Sequence, residues 1–337
     1  MPNVLVTAAG APGCVRLIRS LREAGYRVTG VDMNERVAAS RICDAFATVP
    51  PGDDPGFITA AADRVRELGA DVVFPTSSSE IVAWARARDD FPVPVLAGPA
   101  AGVEAASDKA ATFALAERLG IPHPLTIEVD DVDGLIAAAR ELGYPDRLVV
   151  MKPLHAKGSR GMRVLDARAD ARRWLLESRP GEHPAQPLAD VTAILADQPF
   201  PPYIVQEYLD GAEETVDAIC WEGRMLLAMT RTREAVRAGL AMDFTLIARP
   251  EAEAHSAVLA EALASEYFLS VQFRAGKLME INPRVSTIVY TEEINPPALA
   301  IGLALGGVEP RDVAELQARI PYGRRAIRYF DQLEFTP

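Results

Sequence analysis

Val271-Gln272-Phe273-Arg274-Ala275-Gly276-Lys277-Leu278-Met279-Glu280-Ile281-Asn282-Pro283-Arg284 is the stretch whose reading decides the fold. Two β-rich segments flank Ala275-Gly276-Lys277, so the stretch is a hairpin. A two-residue turn at Ala275-Gly276 sets Glu280 opposite Val271 and mixes polar with apolar side chains on each face. A three-residue turn through Lys277 sets Glu280 opposite Gln272 and gathers Val271, Phe273, Met279 and Ile281 on the other face. Burial of one face fixes register, so the three-residue turn is expected. The polar face then carries Gln272, Glu280 and Asn282, oxygen donors of the kind a hard cation such as Mg²⁺ takes. The plain alternative is a solvated strand face. Pro283 ends the strand and Arg284 stands at its mouth.

Upstream, Lys152-Pro153 closes a strand, and Lys157-Gly158-Ser159-Arg160-Gly161 follows. A glycine-rich loop between antiparallel strands can fold over a triphosphate, with a lysine at the strand end reaching phosphate oxygens. The spacing is not that of a P-loop, and an exposed basic hairpin is the alternative. Gln206-Glu207-Tyr208-Leu209-Asp210-Gly211-Ala212-Glu213-Glu214 runs on from a strand at Tyr203. It can offer backbone groups to an adenine edge and a carboxylate to a ribose, or be a solvated acidic turn. Ser107-Asp108-Lys109 opens a helix with an N-cap. Thr230-Arg231-Thr232-Arg233-Glu234 lies between central strands, where a bound acid needs a cation. Arg231 and Arg233 are the candidates, with surface charge on a hairpin the alternative. Thr76-Ser77-Ser78-Ser79-Glu80 ends a parallel strand and can offer hydroxyls and a carboxylate to an amino group, or cap a helix. His123 and His155 read as structural or solvent-facing.

Residues 1 to about 100 alternate short β-branched runs (Val4–Thr7, Arg27–Val31, Asp71–Phe74, Val93–Leu96) with amphipathic helices, the signature of a parallel sheet covered on both faces. Its first turn, Ala9-Gly10-Ala11-Pro12-Gly13, followed by Asp32 after the second strand, raises a dinucleotide site. The third glycine of that fingerprint is absent, and Pro12 removes an amide donor. From Tyr203 onward strands dominate, with a further one at Phe244–Ile247. Residues 169–177 read as a helix, and the proline-rich stretch 179–202 as a surface excursion. The chain has 337 residues and a net charge of −12, which argues against nucleic acid held through phosphates. No apolar run reaches a membrane span, and no basic region precedes the N-terminal apolar stretch, so a cytoplasmic protein without signal peptide is expected. Three separated cysteines, Cys14, Cys43 and Cys220, make neither a disulfide framework nor a metal spacing. Only four of 35 basic residues are lysines, and three of them (Lys109, Lys152 and Lys157) fall in the motifs above, while Lys277 falls in the hairpin.

Taken in order, Asp108-Lys109, Lys152 with its Gly158–Gly161 loop, Gln206–Gly211 with Glu214, and the hairpin from Val271 to Arg284 resemble the ATP-grasp superfamily. Within it, the chain is similar to the branch containing the synthetase domains of carbamoyl-phosphate synthase large subunits, over nearly its whole length. The resemblance implies an α/β chain whose two α+β subdomains grip ATP, preceded by a Rossmann-like parallel domain. Residues 1–100 would be that domain, 101–202 the first grasp subdomain with its lid loop, and 203–337 the second with its metal site. Lys109 and Lys152 would bind ATP phosphates, and the loop with Lys157, Gly158, Ser159 and Gly161 would close over them. Gln206, Glu207, Tyr208 and Leu209 would face adenine, largely through backbone, and Glu214 would hold the ribose hydroxyls. Gln272, Glu280 and Asn282 would hold two magnesium ions, with manganese as substitute, and Arg284 would meet the developing acyl phosphate. Many amino-acid ligases of the superfamily have an acidic residue where Gln272 stands; Gln272 agrees with the synthetase branch.

The implied activity is ATP-dependent carboxylate–amine ligation. A small, amino-acid-like carboxylate attacks the γ-phosphate, and an amine then displaces phosphate from the acyl phosphate. Lys152, Arg284, Arg231 and Arg233 would supply the cationic groups. The expected partners are a small carboxylate and an amine, with a homodimer as the family habit, and neither nucleic acid nor membrane. The alternatives are a nucleotide-binding regulatory homologue without turnover, and an NAD(P)-dependent oxidoreductase using the first domain.

Overall fold

The computed structural model describes residues 1–154, 161–170, 172, 176, 185–196, 199–237, 240–286, 291, 293–329 and 331–335. The first unit is a parallel sheet of β1 (Asn3–Val6), β2 (Arg27–Asp32), β3 (Ala45–Thr48) and β4 (Val72–Phe74), in the order β3-β2-β1-β4. Its strands are apolar on both faces because both are covered. Val4, Val6 and Phe74 pack with Leu17, Ile18 and Leu21 of the helix Cys14–Glu23, while Leu5, Val31 and Val73 pack with Phe57, Val65 and Trp84. The strand expected at Val93–Leu96 is reduced to a single bridge between Val95 and Val73.

The second unit is a five-stranded sheet. It comprises β5 (Thr126–Val129), β6 (Val149–Pro153), β7 (Arg163–Leu165), β8 (Ala185–Gln186) and β9 (Tyr203–Glu207), ordered β5-β9-β6-β7-β8. β9 pairs with both β5 and β6, so Tyr203–Glu207 lies in this sheet. Nor is the proline-rich stretch only a surface excursion, since Leu188 and Val191 from it are buried in this sheet's core. The helix expected at 169–177 falls mostly outside the described residues.

The third unit holds β10 (Glu213–Trp221), β11 (Arg224–Thr232), β12 (Ala235–Arg237), β13 (Leu240–Thr245), β14 (Tyr267–Arg274), β15 (Lys277–Asn282) and β16 (Arg325–Ile327). Four form an antiparallel sheet ordered β11-β10-β14-β15, and three form another, β12-β13-β16. The strand expected at Phe244–Ile247 lies earlier, at Leu240–Thr245. Val216, Ala218, Val271, Phe273, Leu278 and Ile281 form the back face of the larger sheet, packed on Leu259 and Ala260 of one helix and Leu115 and Ala116 of another. The first unit shares its core with the third, where Phe74 packs against Phe268 with tilted rings whose centroids are 5.2 Å apart.

The hairpin corrects the expected turn. Arg274 pairs with Lys277, so the turn has two residues, and both Ala275 (φ 49°) and Gly276 (φ 75°) lie in the left-handed region that suits strand twist. A bulge between Gln272 and Phe273 then leaves Met279 without a partner and restores Gln272 opposite Glu280. Leu278, rather than Met279, joins Val271, Phe273 and Ile281 in the core. Burial won, as expected, but through a bulge instead of a longer turn.

Candidate active site

Strand register lays polar side chains in rows across the front of the larger sheet. Arg231, Thr215, Gln272 and Glu280 stand side by side on β11, β10, β14 and β15. One row further from the turn come Met229, Asp217, Ser270 and Asn282. One row nearer it, Glu213 faces Arg274, and its carboxylate bridges Arg233 at 2.6 Å and Arg274 at 3.3 Å. Period-two alternation from Thr215 puts Glu213 and Asp217 on this face, a signal that the motif reading left unused.

Glu280 is exposed, and its charge reaches cations from several directions. Lys152, at the end of β6, is held by burial well below its ordinary value, at about 8. Glu280 opposes that shift, neighbouring Lys109 and Arg274 add to it, and Glu213 opposes it. Lys109, first residue of a helix capped by Asp108, is also lowered by burial and supported by Glu280; its Nζ donates to the Leu154 carbonyl at 3.2 Å. Burial likewise lowers Arg233 and Arg284, with Glu280 among the groups opposing it in both. Lys109, Lys152, Arg233, Arg284 and Glu280 therefore converge between the second sheet and the third unit.

Arg284 is held at three points. Its Nε donates to Ser78 Oγ at 2.7 Å, Nη1 to the Val285 carbonyl at 2.7 Å, and Nη2 to Asn282 Oδ1 at 3.5 Å. Asn282 Nδ2 donates to Glu280 Oε1 at 2.9 Å. Among the described residues no three His, Cys, Asp or Glu side chains gather. A cation here would thus be held by the Glu280 carboxylate with the amide oxygens of Gln272 and Asn282. That hard oxygen set on one strand face fits Mg²⁺, with phosphate oxygens completing the shell.

The front of the second sheet supplies the opposite wall. Lys152 and Ile204, and next to them Val150 and Gln206, are cross-strand pairs facing the same side. Gln206 Nε2 donates to Thr126 Oγ1 at 2.8 Å, while its Oε1 is buried with no hydrogen-bond partner among the described residues. The Glu207 carboxylate accepts from the Leu125 amide at 3.1 Å and from Lys277 Nζ, so it is already engaged. Leu209 is buried and Tyr208 half-buried in the connection between the two sheets. Gly161 is in the left-handed region at φ 74°. Lys157, Gly158, Ser159 and His155 lie outside the described residues.

Two candidates are not brought to this centre. Glu214 projects from the other face of β10, where its carboxylate accepts from Arg249 Nε at 2.8 Å. Arg231 is fully buried, its Nε donating to Asp217 Oδ2 at 2.7 Å, and Ser270 Oγ donates to Asp217 Oδ1 at 2.9 Å. Surface charge on a hairpin therefore does not describe Arg231. Both of its Nη atoms are buried without a hydrogen-bond partner among the described residues. A cavity of about 20 Å³, room for roughly one water, lies nearby between Asp217, Ser270, Arg284 and Ser286.

The first domain's turn is committed to its own packing. Asp32 accepts from the Gly10 amide at 2.8 Å and the Asn34 amide at 2.9 Å, and a Cβ on Gly10 would lie 2.6 Å from Val37 and 2.9 Å from Asp32. The amide and the carboxylate that a dinucleotide would need satisfy each other. Glu80 is buried, and burial raises its carboxyl; its Oε1 accepts from Thr7 Oγ1 at 2.5 Å and from the Thr76 and Ser77 amides at 3.2 Å. It braces a turn and is closed to a substrate amine. Burial pushes the thiols of Cys14, Cys43 and Cys220 up to about 12, which leaves them inert as nucleophiles.

Residues 199–324 match a family model described as ATP-grasp in the biosynthetic pathway with Ter operon. The carbamoyl phosphate synthase large chain of Thermomicrobium roseum is 27% identical over 211 residues, covering 58% of this chain and 18% of that protein. The chain thus spans less than a third of the length of such relatives. Among solved structures, the biotin carboxylase domain of Hydrogenobacter thermophilus 2-oxoglutarate carboxylase, a dimer in complex with MgADP, ADP and bicarbonate, superimposes with TM-score 0.64. Its identity is 16%, over 90% of this chain and 69% of that one. The ADP complex of N5-carboxyaminoimidazole ribonucleotide synthetase also gives 0.64, at 17% identity, over 96% and 78%. By these likenesses and by its paired sheets behind a parallel first domain, the chain has the ATP-grasp fold and is similar to carbamoyl phosphate synthase large chains.

Proposed function

We propose that the chain is an ATP-dependent carboxylate–amine ligase acting on small substrates, with ADP and phosphate as by-products. The observation that carries this reading is the convergence of Lys109, Lys152, Arg233 and Arg284 on Glu280, between two sheets. Cationic side chains around one carboxylate suit a triphosphate with its divalent ion, because phosphoryl transfer needs positioning and charge neutralisation more than covalent help. Buried, inert thiols agree with a route that uses no protein nucleophile.

Adenine would lie against the connection from Gln206 to Leu209, where the buried Gln206 Oε1 lacks a donor among the described residues and an exocyclic amine can supply one. Lys152 and Lys109 would hold the phosphates, with Lys157, Gly158, Ser159 and Gly161 closing over them. Gln272, Glu280 and Asn282 would hold Mg²⁺ or Mn²⁺, which neutralises phosphate charge when bound. The attacking carboxylate would approach along Arg284, with Arg233 balancing charge beside Glu213, and Arg284 would stabilise the acyl phosphate that forms. Arg231, buried behind Asp217, would keep that wall cationic. Closure excludes water, which would otherwise hydrolyse the acyl phosphate. Glu214 belongs to the ribose only if its ion pair with Arg249 opens. A homodimer is part of the same reading, which light scattering checks.

The test is phosphate release from Mg²⁺-ATP, screened over bicarbonate and small carboxylic acids, each with ammonia and amino acids as amines, with mass identification of the product. An acid-dependent burst of phosphate supports the reading. ATP binding without turnover under every pairing would replace it with the regulatory alternative.

A further inference from the structure

We infer that Ser78, in the first domain, is a positioning residue for Arg284, and that this contact makes the parallel domain part of the reacting site. The inference rests on Arg284 meeting the acyl phosphate. Arg284 uses Nη1 and Nη2 on its own strand end, at Val285 and Asn282. Its Nε reaches into the first domain, at 2.7 Å from Ser78 Oγ across 206 residues of sequence. Two anchors on one side fix where a guanidinium sits. A third on Nε fixes the tilt of its plane, and hence which N–H bonds face the substrate.

The segment that presents Ser78 is built to be stiff. Glu80 Oε1 takes the Thr76 and Ser77 amides and the Thr7 hydroxyl, tying the turn to the end of β1. Thr76 Oγ1 donates to the Thr7 carbonyl at 2.8 Å, and the Ser77 and Ser79 hydroxyls lie 2.7 Å apart. Buried Glu80 therefore serves no substrate; it makes Ser78 a fixed point. The turn also stands at the carboxyl end of β4, next to β1, where strand order reverses and the crevice of such sheets opens. Shared packing through Phe74 and Phe268 holds the two domains at that distance. The serine-rich motif thus acquires a role that neither capping nor substrate binding gives it.

The experiment compares Ser78→Ala, Ser78→Thr, Arg284→Lys, Arg284→Ala and the double variant Ser78→Ala/Arg284→Lys. Turnover is read as phosphate release from Mg²⁺-ATP with bicarbonate or pooled amino acids, and Arg284 Nε–H is followed by ¹⁵N NMR of arginine-labelled protein. Ser78→Ala should lower kcat roughly ten- to hundredfold, since small misplacements cost that much, with KM for ATP nearly unchanged. Ser78→Thr should recover most of the loss. In the Arg284→Lys background, which lacks Nε, Ser78→Ala should cost nothing further. The Arg284 Nε–H signal should shift and exchange faster in Ser78→Ala. An unmoved signal, wild-type kcat, or the same loss in both backgrounds would overturn the inference. Full turnover in Arg284→Lys and Arg284→Ala would instead sink the reading of Arg284 itself, whatever Ser78 does.

Discussion

Gln272 and Glu280 stand directly opposite one another on β14 and β15 because Met279 is left unpaired between them and the turn. The pair is thus held by backbone register, and Glu280 is exposed. Glu280→Gln should lower the thermal midpoint modestly, since the residue is exposed but its charge supports the buried Lys109, Lys152, Arg233 and Arg284. Turnover should fall by about two to three orders of magnitude, the scale for losing one preorganised electrostatic group. Raising Mg²⁺ should recover part of it. Retained turnover at ordinary Mg²⁺ would remove Glu280 from the metal site.

Lys152 gives the site a pH dependence. Its ordinary value of 10.5 falls to about 8 in the folded chain. Between those values the unfolded chain keeps a proton that the folded one releases, so stability rises with pH across that window, and the penalty is fully present below it. ATP phosphates favour the charged lysine, so binding above about pH 8 must take up a proton and weaken as pH rises. Calorimetry in buffers of different ionisation enthalpy measures that uptake directly. Lys152→Met should abolish the uptake and weaken ATP binding at all pH values. Glu280→Gln should move the onset to lower pH, because Glu280 supports the ammonium.

Buried Arg231 makes its partner costly to remove. Its side chain is fully inaccessible and rests on Asp217 at 2.7 Å. Asp217→Ala should destabilise the chain by about 3–5 kcal/mol by stranding a buried charge. Removing both charges in Asp217→Ala/Arg231→Met should cost distinctly less. Urea unfolding of the two variants decides it, and equal losses would mean that the pair matters only through packing.

The parallel first sheet and the placing of Gln272 opposite Glu280 were legible in the sequence, because hydrophobic alternation is local. Three features were not local. The bulge at Met279 trades one residue of turn for one of strand, and composition around Ala275-Gly276 fits either solution. The membership of β9 in the second sheet depends on pairing with Thr126 and Val150, far away in sequence. The engagement of Glu214 by Arg249 and of Arg284 by Ser78 depends on how whole units pack, which no motif spacing encodes. Glu213 and Asp217 were within reach, since alternation along β10 from Thr215 suffices to put them on the front face.

The turn offers the most direct check of the corrected hairpin. Ala275 holds φ 49° and is exposed, so its methyl contributes strain and little packing. A left-handed conformation costs an L-residue about 1–2 kcal/mol, and glycine's extra freedom in the unfolded chain takes back about 0.5–1 kcal/mol. Ala275→Gly should therefore stabilise by roughly 0.5 kcal/mol, and Gly276→Val, a β-branched residue forced to φ 75°, should destabilise by more than 1 kcal/mol. Both should show as shifts of the urea midpoint at unchanged slope. A three-residue turn through Lys277 would not require positive φ at both positions. A Gly276→Val variant as stable as the parent would therefore restore that turn and with it a register that owes nothing to Met279.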